Sequence, residues 1–176
     1  MKNILIISIL LSSFFELNAQ TNSHHAILSG EIKNSEGEQV IIRDNLWEAV
    51  DTLQLKDGQF RDTLMLPHGY YYLEHEEAQI RLYLTVGMDL TLNLDLKDIV
   101  HTTSWKGRGQ NENNYLASKF RLTQSIPSEK RMYSEYAQLG ERDFLAQTDS
   151  IYQLYVIHYR NNKNDLDQTF AYLDNE

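Results

Sequence analysis

Between residues 26 and 109 the chain is a succession of short β-like runs, each stopped by a turn signal. The runs recur roughly every ten residues, the rhythm of an all-β sandwich or barrel. They cover residues 26–32, 40–43, 50–55, 60–66, 70–75, 80–86, 90–96 and 101–105. The links between them are too short for crossover helices, so antiparallel pairing is expected. Leu90, Leu92, Leu94 and Leu96 point one way, and Thr91, Asn93 and Asp95 the other. That period of two marks a strand with one buried face. Lys56-Asp57-Gly58-Gln59 reads as a hairpin, and Pro67-His68-Gly69, Gly87-Met88-Asp89 and Gly107-Arg108-Gly109 as further stops. Gly58, Gly69, Gly87 and Gly107 are the expected turn formers.

After Gly109 the pattern becomes helical. Residues 111–123 carry Tyr115, Leu116, Phe120 and Thr123 at helical spacing. Ser128 is placed to cap a second helix running through Leu139, with Gly140 to end it. From 141 to 159, Phe144, Thr148, Ile151, Tyr155 and His158 form a stripe, widened by Leu145, Tyr152 and Tyr159. Asn164 or Asp165 starts a last helix carrying Leu166, Phe170 and Leu173. The chain stops at Glu176 inside that pattern, as an incomplete gene product would, or as a frayed natural terminus does. The expected class is an all-β antiparallel sandwich or open barrel followed by an α-helical segment, α+β overall. The polar link 107–114 is the best boundary.

Residues 1–19 read as a signal peptide. Lys2 gives the positive start, residues 4–15 the apolar run, and Ala19 the small residue before Gln20. That run is too short for a membrane span. An uncleaved anchor or a buried helix is the alternative. The expected organisation is a signal peptide over 1–19, a β-sandwich module over 20–109 and a helical linker region over 110–176. The expected location is extracytoplasmic, with no stable membrane span after cleavage.

Composition narrows the function classes. Apolar residues make up 41% and charged residues 23%, as in a globular chain rather than a disordered one. A net charge of −9 disfavours tracking a nucleic-acid backbone. The chain has no cysteine. It therefore has no disulfide, thiolate zinc site, cysteine nucleophile or CxxC pair.

No residue pattern rises to a catalytic, cofactor or metal site. His24 and His25 sit near the mature N-terminus and read as an exposed tail. His75-Glu76-Glu77 lies at a predicted turn, lacks the HExxH helix, and reads as solvated. His158 reads as a histidine at the core edge. No carboxylate pair stands out for glycosidase chemistry. Gly107-Arg108-Gly109-Gln110 lacks the Lys-Ser/Thr of a phosphate loop. The remaining signal is aromatic. Tyr70 and Tyr72 share a strand face, with Tyr83 on the next strand. They form either a ligand or partner surface, or ordinary cross-strand packing.

Several segments taken in order resemble a known arrangement. They are Asn18-Ala19-Gln20, Ser29-Gly30-Glu31-Ile32, Val50-Asp51-Thr52, Asp57-Gly58-Gln59-Phe60 and Gly69-Tyr70-Tyr71-Tyr72-Leu73. Leu84-Thr85-Val86-Gly87-Met88-Asp89-Leu90, Trp105-Lys106-Gly107-Arg108-Gly109 and Asn113-Asn114-Tyr115-Leu116 follow. Together they resemble the N-terminal region of secreted thioredoxin-like proteins of the TlpA/ResA type from Gram-negative bacteria. In that family a β-sandwich module and a helical region precede a thioredoxin domain with CxxC. The resemblance implies a periplasmic or cell-envelope accessory module of a thiol–disulfide exchange protein. Its roles would be positioning, dimerisation or client contact, and its partner the thioredoxin domain or another protein. The family's catalytic residues have no counterpart here. A free-standing module binding glycans or surface proteins, and a hydrolase using carboxylates, remain the rival readings. If the signal peptide is read correctly, the intact mass of the exported protein will correspond to a chain beginning at Gln20. A mass retaining residues 1–19 would overturn the cleavage.

Overall fold

In the computed structural model, residues 25–174 are described. The predicted cleavage at Ala19 and Gln20, and the end at Glu176, lie outside them.

Among the described residues, eight strands form two four-stranded sheets that do not close into a barrel. They are β1 (Ala26–Lys33), β2 (Gln39–Arg43), β3 (Ala49–Gln54), β4 (Gln59–Leu64), β5 (Gly69–His75), β6 (Ala78–Leu84), β7 (Asp89–Asp95) and β8 (Ser104–Arg108). One sheet has the order β4-β1-β7-β8 and the other β3-β2-β5-β6. The alternation in β7 is realised: Leu90, Leu92 and Leu94 are buried between the sheets, opposite residues such as Val40, Ile42, Leu73 and Leu82. Each such leucine contributes about 1.5–3 kcal/mol relative to exposure.

Three details differ from the expectation. First, the pairing is mixed. β1 runs parallel to β7, from Ile27 opposite Asp89 to Lys33 opposite Asp95. The crossover is made by the whole second sheet rather than by a helix. Second, the Asp57-Gly58 turn forms, with both residues at positive φ, but it joins strands of different sheets, so the hairpin closes only at Lys56 and Gln59. Third, residues 101–105 are not a strand. Asp98 caps a single turn, α1 (Ile99–Thr102), by accepting from the His101 amide, and the strand begins at Ser104.

Gly58 and Gly87 sit in turns at φ +74 and +83, and Gly69 opens β5. Gly107 is not a turn former. It lies inside β8 opposite Leu90, at φ +98, and a Cβ there would overlap the Asp89 carbonyl oxygen. The strand backbone comes too close for any side chain.

The helices are α2 (Gln110–Gln124), α3 (Glu129–Tyr136), α4 (Glu141–Asn162) and α5 (Gln168–Leu173). Gly140 does not end α3. It is extended, with φ −67 and ψ 156, and starts α4. α2 follows β8 directly and closes the gap between β6 and β8, the outer strands of the two sheets. Asn113 Oδ1 accepts from the Tyr83 amide at 2.8 Å, and its Nδ2 donates to the Tyr83 carbonyl at 2.9 Å. Asn114 does the same to Trp105 of β8, at 2.8 Å in both directions. Two neighbouring side chains thus stand in for the missing strand on both edges.

Asn113→Asp places an acceptor against the Tyr83 carbonyl. It should cost about 1–3 kcal/mol or more, the desolvation of buried polar groups left without partners. Gly107→Val should be at least as damaging, because its clash is with backbone. Urea unfolding checks both; a wild-type midpoint for either would count against these roles.

Candidate functional site

The tyrosines selected from the sequence separate in the structure. Tyr71 points into the core and donates to the Pro67 carbonyl. Tyr70 and Tyr83 face outward from their sheet as neighbours in register, but α5 covers them. Phe170, fully buried, packs on Tyr83 with ring centroids 5.1 Å apart, on Tyr70 at 5.9 Å and on Tyr115 at 5.7 Å. Tyr83 is 1% exposed. Tyr70 and Tyr83 are therefore packing residues, the second of the two readings, and the three tyrosines do not form an exposed row. Burial raises the pKa of both hydroxyls.

α5 is held in place by polar contacts to α2. Asp167 caps α5 through the amides of Thr169 and Phe170, and Glu112 accepts from the Asp167 amide at 3.0 Å. Asp174 accepts from the Tyr115 hydroxyl at 2.8 Å and from Lys119 Nζ at 2.8 and 2.9 Å. The helices thus pack on the sandwich at this end.

Tyr72 remains half-buried and has a different partner. Trp47 stacks on it, with centroids 4.8 Å apart and planes at 18°. Trp47 holds φ +64, a left-handed conformation that is strained for a bulky residue. The Arg43 guanidinium fixes it by bonding the Trp47 carbonyl at 3.0 Å and gripping the Glu74 carboxylate with Nε at 2.6 Å and Nη2 at 3.1 Å. That guanidinium holds the Glu74 pKa below the usual range. Trp47 and Tyr72 form one wall of a groove of about 260 Å³ along β6. Gln79, Arg81, Leu116 and Phe120 supply much of the rest.

The histidine expectations resolve in opposite ways. His158 lies at the core edge as expected, 4.7 Å from the Tyr115 ring. Ser118 Oγ lies 2.8 Å from the Tyr115 carbonyl and shares a 2.7 Å hydrogen bond with Nε2 of His158. Its Nδ1 is buried with no partner. With no third group to orient the ring through Nδ1, the pair acts as a pin between α2 and α4 rather than as a triad-like activated serine. His75 is not in a solvated turn. It is 2% exposed at the end of β5, donating from Nδ1 to the Gln39 carbonyl and accepting at Nε2 from Ser35. The adjacent Glu76 accepts from the amides of Gly37 and Glu36. These bonds lower its pKa. Together they clamp the β1–β2 loop.

α4 carries a run of large exposed apolar side chains. α4 has 22 residues and none is buried. Phe144, Leu145, Tyr152 and Ile157 are 42–63% exposed. Between α3 and α4 lies a cavity of about 490 Å³, walled by residues that include Met132, Tyr136, Leu139 and Phe144.

Chemically the molecule offers surfaces more than a reaction centre. The shifted carboxylates, Glu74, Glu76, Asp95 and Asp98, are all held down by hydrogen-bond donors, the reverse of a poised general acid. Among the described residues there is no group of three His, Asp or Glu able to hold a metal, and no helix long and apolar enough to cross a membrane. No family model, curated protein or solved structure matches the chain.

The roles of Trp47, Asn113 and Asn114 were not read from the sequence. For the asparagines a signal was present, since two consecutive amides inside a helix are poor helix formers and need a reason. For Trp47 there was none, because a strained φ has no signature in a tryptophan.

Burial lowers the pKa of His158, and nearby Lys119 adds to this. The unfolded chain therefore binds that proton more readily. Its stabilising contribution is complete above the ordinary value of 6.5 and is lost as pH falls through it. Thermal unfolding between about pH 7.5 and pH 5.5 should show a larger fall in Tm for wild type than for His158→Gln. Equal slopes would remove His158 as the cause.

Proposed function

We propose that this chain is a non-catalytic, extracytoplasmic accessory module of a thioredoxin-type thiol–disulfide exchange protein. In this reading the sandwich is the rigid base and the α3–α4 pair the docking arm for a redox domain. The observation that carries the docking role is the arm itself. Its large apolar side chains are exposed in numbers that a monomeric surface seldom tolerates without a partner. The thioredoxin partner is supported by the order of sequence segments resembling TlpA/ResA-type proteins. Having no cysteine, the chain performs no thiol exchange itself. It would act by holding the exchange domain near its client and by limiting how that domain is presented.

Titration calorimetry with an isolated TlpA/ResA-type thioredoxin domain tests this. Binding is expected, and Leu145→Glu combined with Tyr152→Lys should weaken it at least about tenfold, or 1.4 kcal/mol. Both positions are exposed, so the fold should survive, as circular dichroism would show. No binding by the wild-type protein, or equal binding by the variant, would overturn the docking role.

A further inference from the structure

The second half of α4 differs in charge from the rest of the chain. Residues 150–164 hold no aspartate or glutamate, although the chain carries 25 acids against 16 bases. Tyr152, Tyr159 and Lys163 recur along α4 at helical repeats, which keeps them on one side. With Tyr115 and Lys119, one turn apart on α2, they line a cavity of about 560 Å³. Tyr155, Arg160 and Asp174 line it too. Such a volume suits a small molecule rather than a lone ion.

The charges around this cavity do not cancel. Among the described residues Asp174 is the one acid lining it, and it is already engaged. Its carboxylate, 3% exposed, holds Lys119 Nζ and accepts from the Tyr115 hydroxyl. The Arg160 and Lys163 side chains form no ion pair or hydrogen bond among the described residues. Bases in a last turn offset the helix dipole, which accounts for their sign. It does not account for their place beside a cavity walled by four tyrosines.

We propose that this cavity binds a small aromatic molecule carrying a phosphate monoester. Two uncommitted positive charges match a group that carries about −1.5 to −2 at pH 7. A carboxylate would leave one of them unanswered. Arg160 offers a planar fork to two phosphate oxygens, and Lys163 a point charge to the third. The tyrosine rings supply flat apolar faces for the ligand's ring, in offset or edge contact. Lys119 and Asp174 neutralise each other, so they hold the shape of one wall and leave the positive field to Arg160 and Lys163. In a chain of net charge −9 most of the surface repels an anion, which confines it to this place. The two bases lie at the opposite end of α4 from Phe144 and Leu145, and the proposal does not depend on the redox reading.

The test uses the full mature chain and phenyl phosphate, followed by titration calorimetry and proton NMR. Phenyl phosphate should bind one to one, about tenfold or more tighter than inorganic phosphate or phenol, each of which offers half of the ligand. Arg160→Gln and Lys163→Gln should each weaken it about tenfold. Arg142→Gln, at the other end of α4, should leave it unchanged. These three positions are exposed, so circular dichroism should show an intact fold. Tyr155→Ala should weaken phenyl phosphate and leave inorganic phosphate as it was. If that variant fails to fold, close contacts between phenyl and tyrosine ring protons in the wild type decide the same point. No saturable binding, equal affinity for phenyl phosphate and inorganic phosphate, or indifference to both glutamine substitutions would overturn the proposal. Equal weakening by Arg142→Gln would do the same, because the attraction would then be to charge at large. So would an acetylated, amidated phosphotyrosine peptide binding about tenfold tighter than phenyl phosphate, since the occupant would then be a partner protein.

Discussion

The architecture rests on two adjacent amides. A sandwich of two separate sheets leaves unpaired backbone at its outer strands, and buried backbone groups need partners. Successive residues on a helix point about 100° apart, so neighbours such as Asn113 and Asn114 can face different walls. Here one wall is β6 and the other β8. Face-to-face sheets lie about 10 Å apart, close to the diameter of a helix. α2 therefore fits across the gap and ties the sheets together without being a strand. The sandwich and the first helix form one structural unit, although their sequence patterns change sharply at Gly109.

From that unit the rest of the helical region is organised in two ways. α5 returns to the sheet and seals the Tyr70–Tyr83 face with Phe170, held by Asp167, Glu112 and Asp174. α4 touches α2 through His158 and Ser118 but carries its apolar stripe outward beyond that point. One half of the stripe has a structural use, and the other is exposed. This division is what supports the proposed docking role.

Strand existence and facing were legible because period two is written directly in residues such as Leu90, Leu92 and Leu94. The partner of each strand was not. Alternation says which face is buried and nothing about which neighbour lies alongside, so the parallel β1–β7 pair, about sixty residues apart, had no local trace. Gly107 was recognised as special for the wrong reason. Its glycine serves a close backbone approach, which a sequence does not distinguish from a turn. The tyrosines were placed correctly on their faces, yet what covers them arrives from Phe170, far along the chain. His75 was misread because its partners, Ser35 and Gln39, belong to another loop.

The position of the two asparagines also sets an order in time. A chain emerges from its N-terminus, so β6 is complete about thirty residues before Asn113 exists. During that interval the edge of β6 is bare, and β8, the other wall, is finished only about five residues before Asn113. Exposed edges on nascent chains are where wrong pairings begin. The early sandwich therefore keeps an unclamped edge until the residue after Glu112 has left the machinery that makes it.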